Sequence, residues 1–180
     1  MQSLSRFALA TLAAAALAAP LKAEEPRFGV QGMVNAPLGD LKDFVDSKPG
    51  LGVGVHGTFD LGAGNMIRPR FDFNYFPEAT LSGIKNNATN FGLGADYLFF
   101  IAGKPEGFYL TGGLSAVRWS FSSEAPGYGK ISTDTTKLGI AVGGGYQWNE
   151  TVGTELRYTY SKIDSNFSAD ALQAGVTIRF

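Results

Sequence analysis

The chain predicts an all-β fold, an eight-stranded antiparallel up-and-down barrel that crosses a membrane with its strands. Three observations predict it. Apolar and polar residues alternate with a period of two in eight successive stretches. Each stretch runs about 9 to 14 residues, the length a tilted strand needs to cross a bilayer, where soluble strands are usually nearer five or six. The connections alternate between long and short, as they do when hairpins close on opposite rims of such a barrel.

The first 23 residues stand apart. Arg6 supplies a weakly positive start, Phe7 to Ala19 is apolar and Ala-rich, and Pro20 precedes a small residue at Ala23. This is the pattern of a secretory signal peptide with cleavage after Ala23, and its apolar run of about a dozen residues is short of the roughly 20 that a spanning helix needs. Residues 1–23 are therefore expected to be removed and residues 24–180 to form one outer-membrane barrel domain. The removed segment takes Arg6 and Lys22 with it, leaving 13 basic and 16 acidic residues, a net charge of −3. Nothing in that balance suggests a nucleic-acid partner. Cysteine is absent, so backbone pairing and packing must hold the exported chain without disulfides.

The expected strands are Arg27 to Pro37, Gly50 to Phe59, Met66 to Phe76, Asn90 to Phe99, Phe108 to Phe121, Thr136 to Trp148, Val152 to Tyr160 and Ala171 to Phe180. In the third, Ile67, Pro69, Phe71, Phe73 and Tyr75 share a face opposite Arg68, Arg70, Asp72 and Asn74. In the sixth, Leu138, Ile140, Val142, Tyr146 and Trp148 oppose Lys137, Gly139, Ala141, Gly143, Gly145 and Gln147. The seventh sets Val152, Leu156, Tyr158 and Tyr160 against Gly153, Glu155, Arg157 and Thr159, and the eighth sets Leu172, Ala174, Val176, Ile178 and Phe180 against Gln173, Gly175, Thr177 and Arg179. The fifth strand is out of phase, because Leu110 and Leu114 share a parity with Arg118 while Val117, Trp119 and Phe121 take the other. A bulge near Ala116 would restore the phase.

With these bounds the connections measure roughly 12, 6, 13, 8, 14, 3 and 10 residues in chain order. An N-terminus in the periplasm puts the four long ones outside and the three short ones, such as Asp60 to Asn65 and Asn149 to Thr151, inside.

Alternation alone does not say whether the apolar face meets lipid or lines a ligand cavity, since a soluble calyx has the same period with the opposite meaning. The polar face decides. It is mostly Gly, Ala, Ser, Thr and Asn with a few Arg and acids, which suits a narrow lumen filled by side chains. A water-facing surface would carry many Lys and Glu, and this face carries one Lys, Lys137. Aromatic residues fall near strand ends on the apolar face, among them Phe28, Phe59, Tyr75, Phe91, Phe99, Trp148, Tyr158, Tyr160 and Phe180, as in the girdles of membrane barrels. The six arginines of residues 24–180 all lie in expected strands. On the lipid face near the midplane each would cost roughly 2 to 4 kcal/mol. Inside the lumen, Arg68, Arg70, Arg118 and Arg157 have Asp72, Asp96 and Glu155 to pair with. The expectation is a plugging ion-pair network and no open pore.

Enzymatic chemistry has little to work with. The one histidine, His56, shares its parity with Gly52, Gly54 and Thr58 and is expected in the lumen as a hydrogen-bonded residue. A serine hydrolase would have to bring Ser122, Ser123 or Ser161 to it through the fold. No metal is expected, since Asp40, Asp43 and Asp46 match no ligand loop, and no cofactor is expected, since Gly62-Ala63-Gly64 and Gly143-Gly144-Gly145 open no helix after a buried strand.

Residues 24–180 resemble the small outer-membrane barrels related to the OmpA-type transmembrane domain and the opacity-type surface antigens. The resemblance rests on Gly143-Gly144-Gly145-Tyr146-Gln147-Trp148-Asn149-Glu150, on Gly153-Thr154-Glu155-Leu156-Arg157-Tyr158-Thr159-Tyr160, and on the ending Gly175-Val176-Thr177-Ile178-Arg179-Phe180. It implies residence in the outer membrane, among its lipid and lipopolysaccharide, as a monomer. It also implies that Val176, Ile178 and Phe180 form the signal read by the barrel-assembly machinery. The function expected is non-enzymatic, structural or surface-recognising, with an unidentified extracellular ligand. The third long loop, Ser122 to Thr135, with Pro126, Tyr128 and Lys130, is the first candidate for recognition. A narrow solute channel, a lipid A-modifying enzyme and a soluble periplasmic ligand-binding barrel are the alternatives.

Overall fold

The computed structural model describes residues 26–180. The expected signal peptide and its cleavage position lie outside the described residues. Eight strands, β1 (Arg27–Leu38), β2 (Gly50–Gly62), β3 (Asn65–Leu81), β4 (Ile84–Phe100), β5 (Gly107–Ala125), β6 (Gly129–Gln147), β7 (Val152–Lys162) and β8 (Ser168–Arg179), pair antiparallel in chain order, and β8 closes onto β1. One short helix, α1 (Gly39–Phe44), follows β1.

One ladder row fixes the geometry of the ring. It runs from Arg179 through Gly29, His56, Arg70, Gly94, Ser115, Gly139 and Ser161 to Ala169, so it returns to β8 ten residues from its start. Ten residues of about 3.4 Å set against a circumference of strands about 4.8 Å apart tilt the strands by about 40°. The backbone cylinder is then about 16 Å across, a width that side chains fill and that leaves no open channel. The same ten residues climb about 25 Å along the axis, the height of the apolar band of such barrels.

The side chains are arranged inside out relative to a soluble protein. Leu93 is 67% exposed and Arg68 is 1% exposed. Every strand repeats the arrangement: Val53, Phe71, Leu110, Val142, Leu156 and Val176 face outward, and Asn35, Asp72, Asp96, Thr111, Arg157 and Gln173 are buried. The soluble calyx alternative is thereby excluded, because its apolar face would be the interior one. At the periplasmic end Phe108, Tyr146 and Trp148 pack in an outer aromatic row, with centroids 4.7 and 4.6 Å apart.

Four storeys fill the lumen. At the periplasmic end Met66, Leu98, Phe100 and Tyr109 form an apolar seal. Above it lies an ionic storey built on Arg68, Asp96 and Glu155. Next comes an amide ladder in which Asn35 donates to Asn74 (2.8 Å) and Asn74 to Asn90 (2.9 Å). At the outer mouth Leu41, Val45, Phe76, Ala88, Val117, Trp119, Ile163, Ala169 and Ala171 pack together with Phe44, Phe121 and Phe167. The helix α1 supplies Leu41 and Phe44 to this plug and is tied down by Asp40, which accepts from the backbone N–H of Ser168 at 2.8 Å.

Two expectations are corrected. No bulge occurs near Ala116, since the β4–β5 and β5–β6 registers are continuous there, and the irregularities fall at Asp60/Gly62 and Phe76/Ala79. The fifth strand keeps one phase throughout, because Val117 and Trp119 are apolar residues of the lumen. The expected second and third long loops are strands. β3 and β4 continue to a two-residue turn at Ser82-Gly83, where both residues have positive φ, the type I′ geometry that matches strand twist. β5 and β6 continue to Ala125↔Gly129, leaving residues 126–128 as the tip. Among the described residues only the connection after β1, residues 39–49, is a long outer loop.

Candidate functional site

The ionic storey brings together most of the charged residues expected in the lumen. Arg68 lies 2.7 Å from Asp96 and 2.7 Å from Glu155 through the same Nη2. Asp96 also takes Arg70 at 3.4 Å and Arg157 at 3.3 Å. Arg70 pairs with Asp72, and Glu155 lies 3.6 Å from Arg157 and accepts from the Tyr109 hydroxyl at 2.9 Å. Arg157 reaches upward to Gln173 Oε1 at 2.7 Å, which joins the ionic storey to the amides above it. Three guanidiniums thus face three carboxylates on three strands, β3, β4 and β7, of which β7 is not a neighbour of the other two. Such a cluster offsets its desolvation only through close pairing and hydrogen bonding, and it couples opposite walls of the cylinder.

Lumen glycines make the cluster possible. A Cβ on Gly113 would overlap Asp96 Oδ1, and one on Gly145 would overlap the Tyr109 hydroxyl. The Gly-rich β6 that the sequence flags is therefore the floor on which larger side chains from neighbouring strands lie.

Arg118 does not belong to the network. It sits on the outer face of β5, 64% exposed, and pairs with Asp134 of β6 at 3.0 Å. The reason is the unbroken phase of β5, which turns Val117 and Trp119 inward and Arg118 out, near the top of the apolar band where a guanidinium reaches water. Asp134 also accepts from the Ser120 hydroxyl. The Ser120 hydrogen bond, and then Arg118, hold its carboxyl below the usual carboxylate range.

His56 is buried in the periplasmic half of the lumen, and its Nε2 has no hydrogen-bond partner among the described residues, in contrast to the hydrogen-bonded state expected. The structure does not bring Ser122, Ser123 or Ser161 to it. Ser161 lies at the outer end of β7, and the Ser122 and Ser123 hydroxyls bond Ser132 and Asn86 above the rim. Of the acids in the first outer loop, Asp40 is engaged with Ser168, and among the described residues no three potential ligands converge on a metal position.

The recognition candidates lie on the β5–β6 hairpin. Pro126 and Tyr128 are in the tip and Lys130 is the second residue of β6, with Tyr128 89% exposed. Sequence reasoning missed the larger feature beside them. β6 pairs with β7 only from Gly139 onward, so Gly129 to Leu138 are hydrogen-bonded to β5 alone and present a free edge to the outside. The signal was present in the Ser/Thr/Ile-rich run Ile131-Ser132-Thr133-Asp134-Thr135-Thr136, whose strand propensity is high, but both its faces meet water and it shows no alternation. At the other end of the barrel Val176, Ile178 and Phe180 all face outward and are exposed.

Known proteins share this architecture. The crystal structure of Ail, the attachment invasion locus protein of Yersinia pestis, superposes with a TM-score of 0.63 at 16% identity, covering 86% of this chain and 97% of that one. Neisserial surface protein A gives 0.59 at 16% identity over 88% and 99% of the two chains, and the N-terminal β-barrel domain of Pseudomonas aeruginosa OprF gives 0.62 at 12% over 88% and 100%. At these identities the likeness is one of fold. No curated protein matches the chain by sequence. The family model of the outer membrane protein beta-barrel domain matches residues 7–180. With an apolar outer wall, a charged and filled lumen and a closed ring of eight strands, the chain belongs to the outer membrane protein β-barrel domain family and resides in the outer membrane.

Proposed function

We propose that this protein is a non-enzymatic outer-membrane scaffold that serves surface recognition through its β5–β6 hairpin. The observation that carries this reading is the free edge of β6 from Gly129 to Leu138. About ten residues at about 3.4 Å each expose a row of unpaired backbone donors and acceptors roughly 34 Å long. Soluble proteins protect such an edge with charge, proline or cover, because it templates pairing with another chain. Here Lys130 and Lys137 stand at the ends, and Asp134 between them is neutralised by Arg118. An extended peptide added to this edge would gain main-chain hydrogen bonds, with Ile131 and Tyr128 as apolar contacts.

A structure of Ail is in complex with the heparin analogue sucrose octasulfate. The hairpin of the present chain carries Arg118, Lys130 and Lys137 against Glu124 and Asp134, so a polyanion finds no basic patch there and a polypeptide strand is the better fit. The plugs at both ends of the lumen weigh against the solute-channel alternative, and the separation of His56 from the outer serines weighs against the lipid A-modifying one. In the same reading outer-membrane lipid and lipopolysaccharide surround the wall, and Val176, Ile178 and Phe180 are the segment offered to the assembly machinery. The four storeys stabilise a monomer.

The test uses consecutive variants Ile131→Pro and Ser132→Pro in the barrel displayed on cells. Alternate residues of an edge strand point their N–H outward, so one of the two removes an edge donor and spares the β5 ladder. Adhesion of the displaying cells to surfaces coated with single matrix proteins should fall with that variant and persist when Lys130 becomes Ala. Adhesion that survives both prolines would contradict edge recognition.

A further inference from the structure

We propose that the periplasmic end of the lumen holds a small monovalent inorganic anion against Arg179. The charges of the lumen point there first. Arg68, Arg70 and Arg157 are matched by Asp72, Asp96 and Glu155. Arg179 is a fourth buried guanidinium, 3% exposed, and its Nε and Nη2 meet no acceptor among the described residues. A buried charge without a partner is the costliest arrangement a protein interior holds, and a bound counter-ion removes the cost.

The surroundings form a niche of donors over bare backbone. Arg179 and His56 stand two strands apart on one row with only Gly29 between them. A Cβ on Gly29 would come within 2.6 Å of His56 Nε2, so the imidazole lies across that glycine. On the other flank of β8, Gly153 pairs with Thr177, and a Cβ there would come within 2.8 Å of Thr177 Oγ1 and 2.7 Å of Gln147 Oε1. Thr177 Oγ1, His56 Nε2, Gln147 Oε1 and, in the same storey, Arg68 Nη1 are all buried and without partners among the described residues.

Two N–H groups of Arg179 form a fork, and the Thr177 hydroxyl, the Arg68 Nη1 and an N–H tautomer of His56 add donors around it. Gln147 Oε1 is the acceptor on the rim, because its Nε2 donates to the Asn149 carbonyl, and it sets the anion toward Arg179. One unmatched positive charge calls for one negative charge. A lumen this narrow and already filled by side chains suits an occupant of the size of a halide.

The test uses bromide as the probe, on the full barrel folded in detergent micelles. Unfolding temperature is read by heat-dependent gel migration in sodium bromide and in sodium gluconate at equal ionic strength. At bromide near ten times its dissociation constant, binding should raise the midpoint by about 3–5 °C over gluconate, which is too large to enter. Arg179→Met should abolish that difference, and Arg27→Met, at the exposed Arg27–Glu150 pair, should keep it. Equal midpoints of the unaltered protein in the two salts, or a difference that survives Arg179→Met, would overturn the proposal. Anomalous scattering from bromide-soaked crystals of the unaltered protein decides the matter independently of how the variant folds: a peak between Arg179 and Thr177 supports the site, and its absence overturns it.

Discussion

Replacing Glu155 by Gln perturbs the ionic storey while keeping its shape. Glu155 is buried and takes Arg68 Nη2 on both oxygens, at 2.7 and 3.0 Å, and the Tyr109 hydroxyl at 2.9 Å. The amide retains one acceptor for Arg68 and one shape, but it removes a full charge, so three guanidiniums then share Asp72 and Asp96. Removing one partner of a buried ion pair costs about 3–5 kcal/mol. The retained hydrogen bond puts Glu155→Gln near the lower end, about 3 kcal/mol, which is a large part of a total stability of about 5–15 kcal/mol. The assay is equilibrium urea unfolding in lipid vesicles, followed by tryptophan emission and by gel migration. The paired replacement Arg68→Met with Glu155→Met supplies a control. Removing both charges together should cost less than the sum of the two single changes by about 1–3 kcal/mol, since neither partner is left alone. A Glu155→Gln loss below about 1 kcal/mol, or strict additivity in the cycle, would refute a network held by these charges.

Further outcomes follow from the same geometry. Gly113→Val, whose side chain would meet Asp96, should abolish folding into membranes, whereas Gly112→Val, with only the Ala141 carbonyl at 3.9 Å on the outer face, should fold normally; gel migration after refolding reads both. The Asp134 carboxyl should titrate below the ordinary Asp value of about 3.9 in carbon-detected NMR, and Ser120→Ala and Arg118→Ala should each move it upward. Because its folded value is depressed, whatever Asp134 contributes to the hairpin is present at neutral pH and disappears as pH falls through that folded value. Deleting residues 126–128 and closing with two glycines should leave refolding yield and unfolding midpoint unchanged, since the tip touches no storey of the lumen. In planar bilayers the barrel should give no steady conductance, and substituting Trp119, Phe121 and Phe167 together by Ala should not open it, because the ionic storey and the periplasmic seal remain.

The barrel was legible because lipid and lumen impose opposite chemistries on alternate residues. Wherever both act, as in Ile67 to Tyr75 or Leu172 to Phe180, the strand reads directly from its letters. The tall hairpins escaped because water touches both faces of Ile131 to Thr136, so nothing there enforces alternation. Arg118 was misplaced for a related reason. Lumen residues were expected to be polar, and Val117, Trp119 and Phe121 break that rule because the outer storey is an apolar plug completed by Leu41 and Phe44 of α1. That contact joins residues more than 70 positions apart, and no local pattern announces it. The pairing of Arg68 with Glu155 is of the same kind: composition predicts that buried arginines need acids, and only the register selects which.

The most direct test of the account is the side on which each residue meets lipid. In nanodiscs containing doxyl-labelled acyl chains, methyl NMR of the barrel should show strong paramagnetic loss at Leu93, Leu110, Val142 and Leu156. The methyls of Thr111, Ala141 and Thr177, one backbone step or one strand away but turned inward, should stay sharp. Loss at Ala141 and Thr111 with Val142 and Leu110 spared would contradict it.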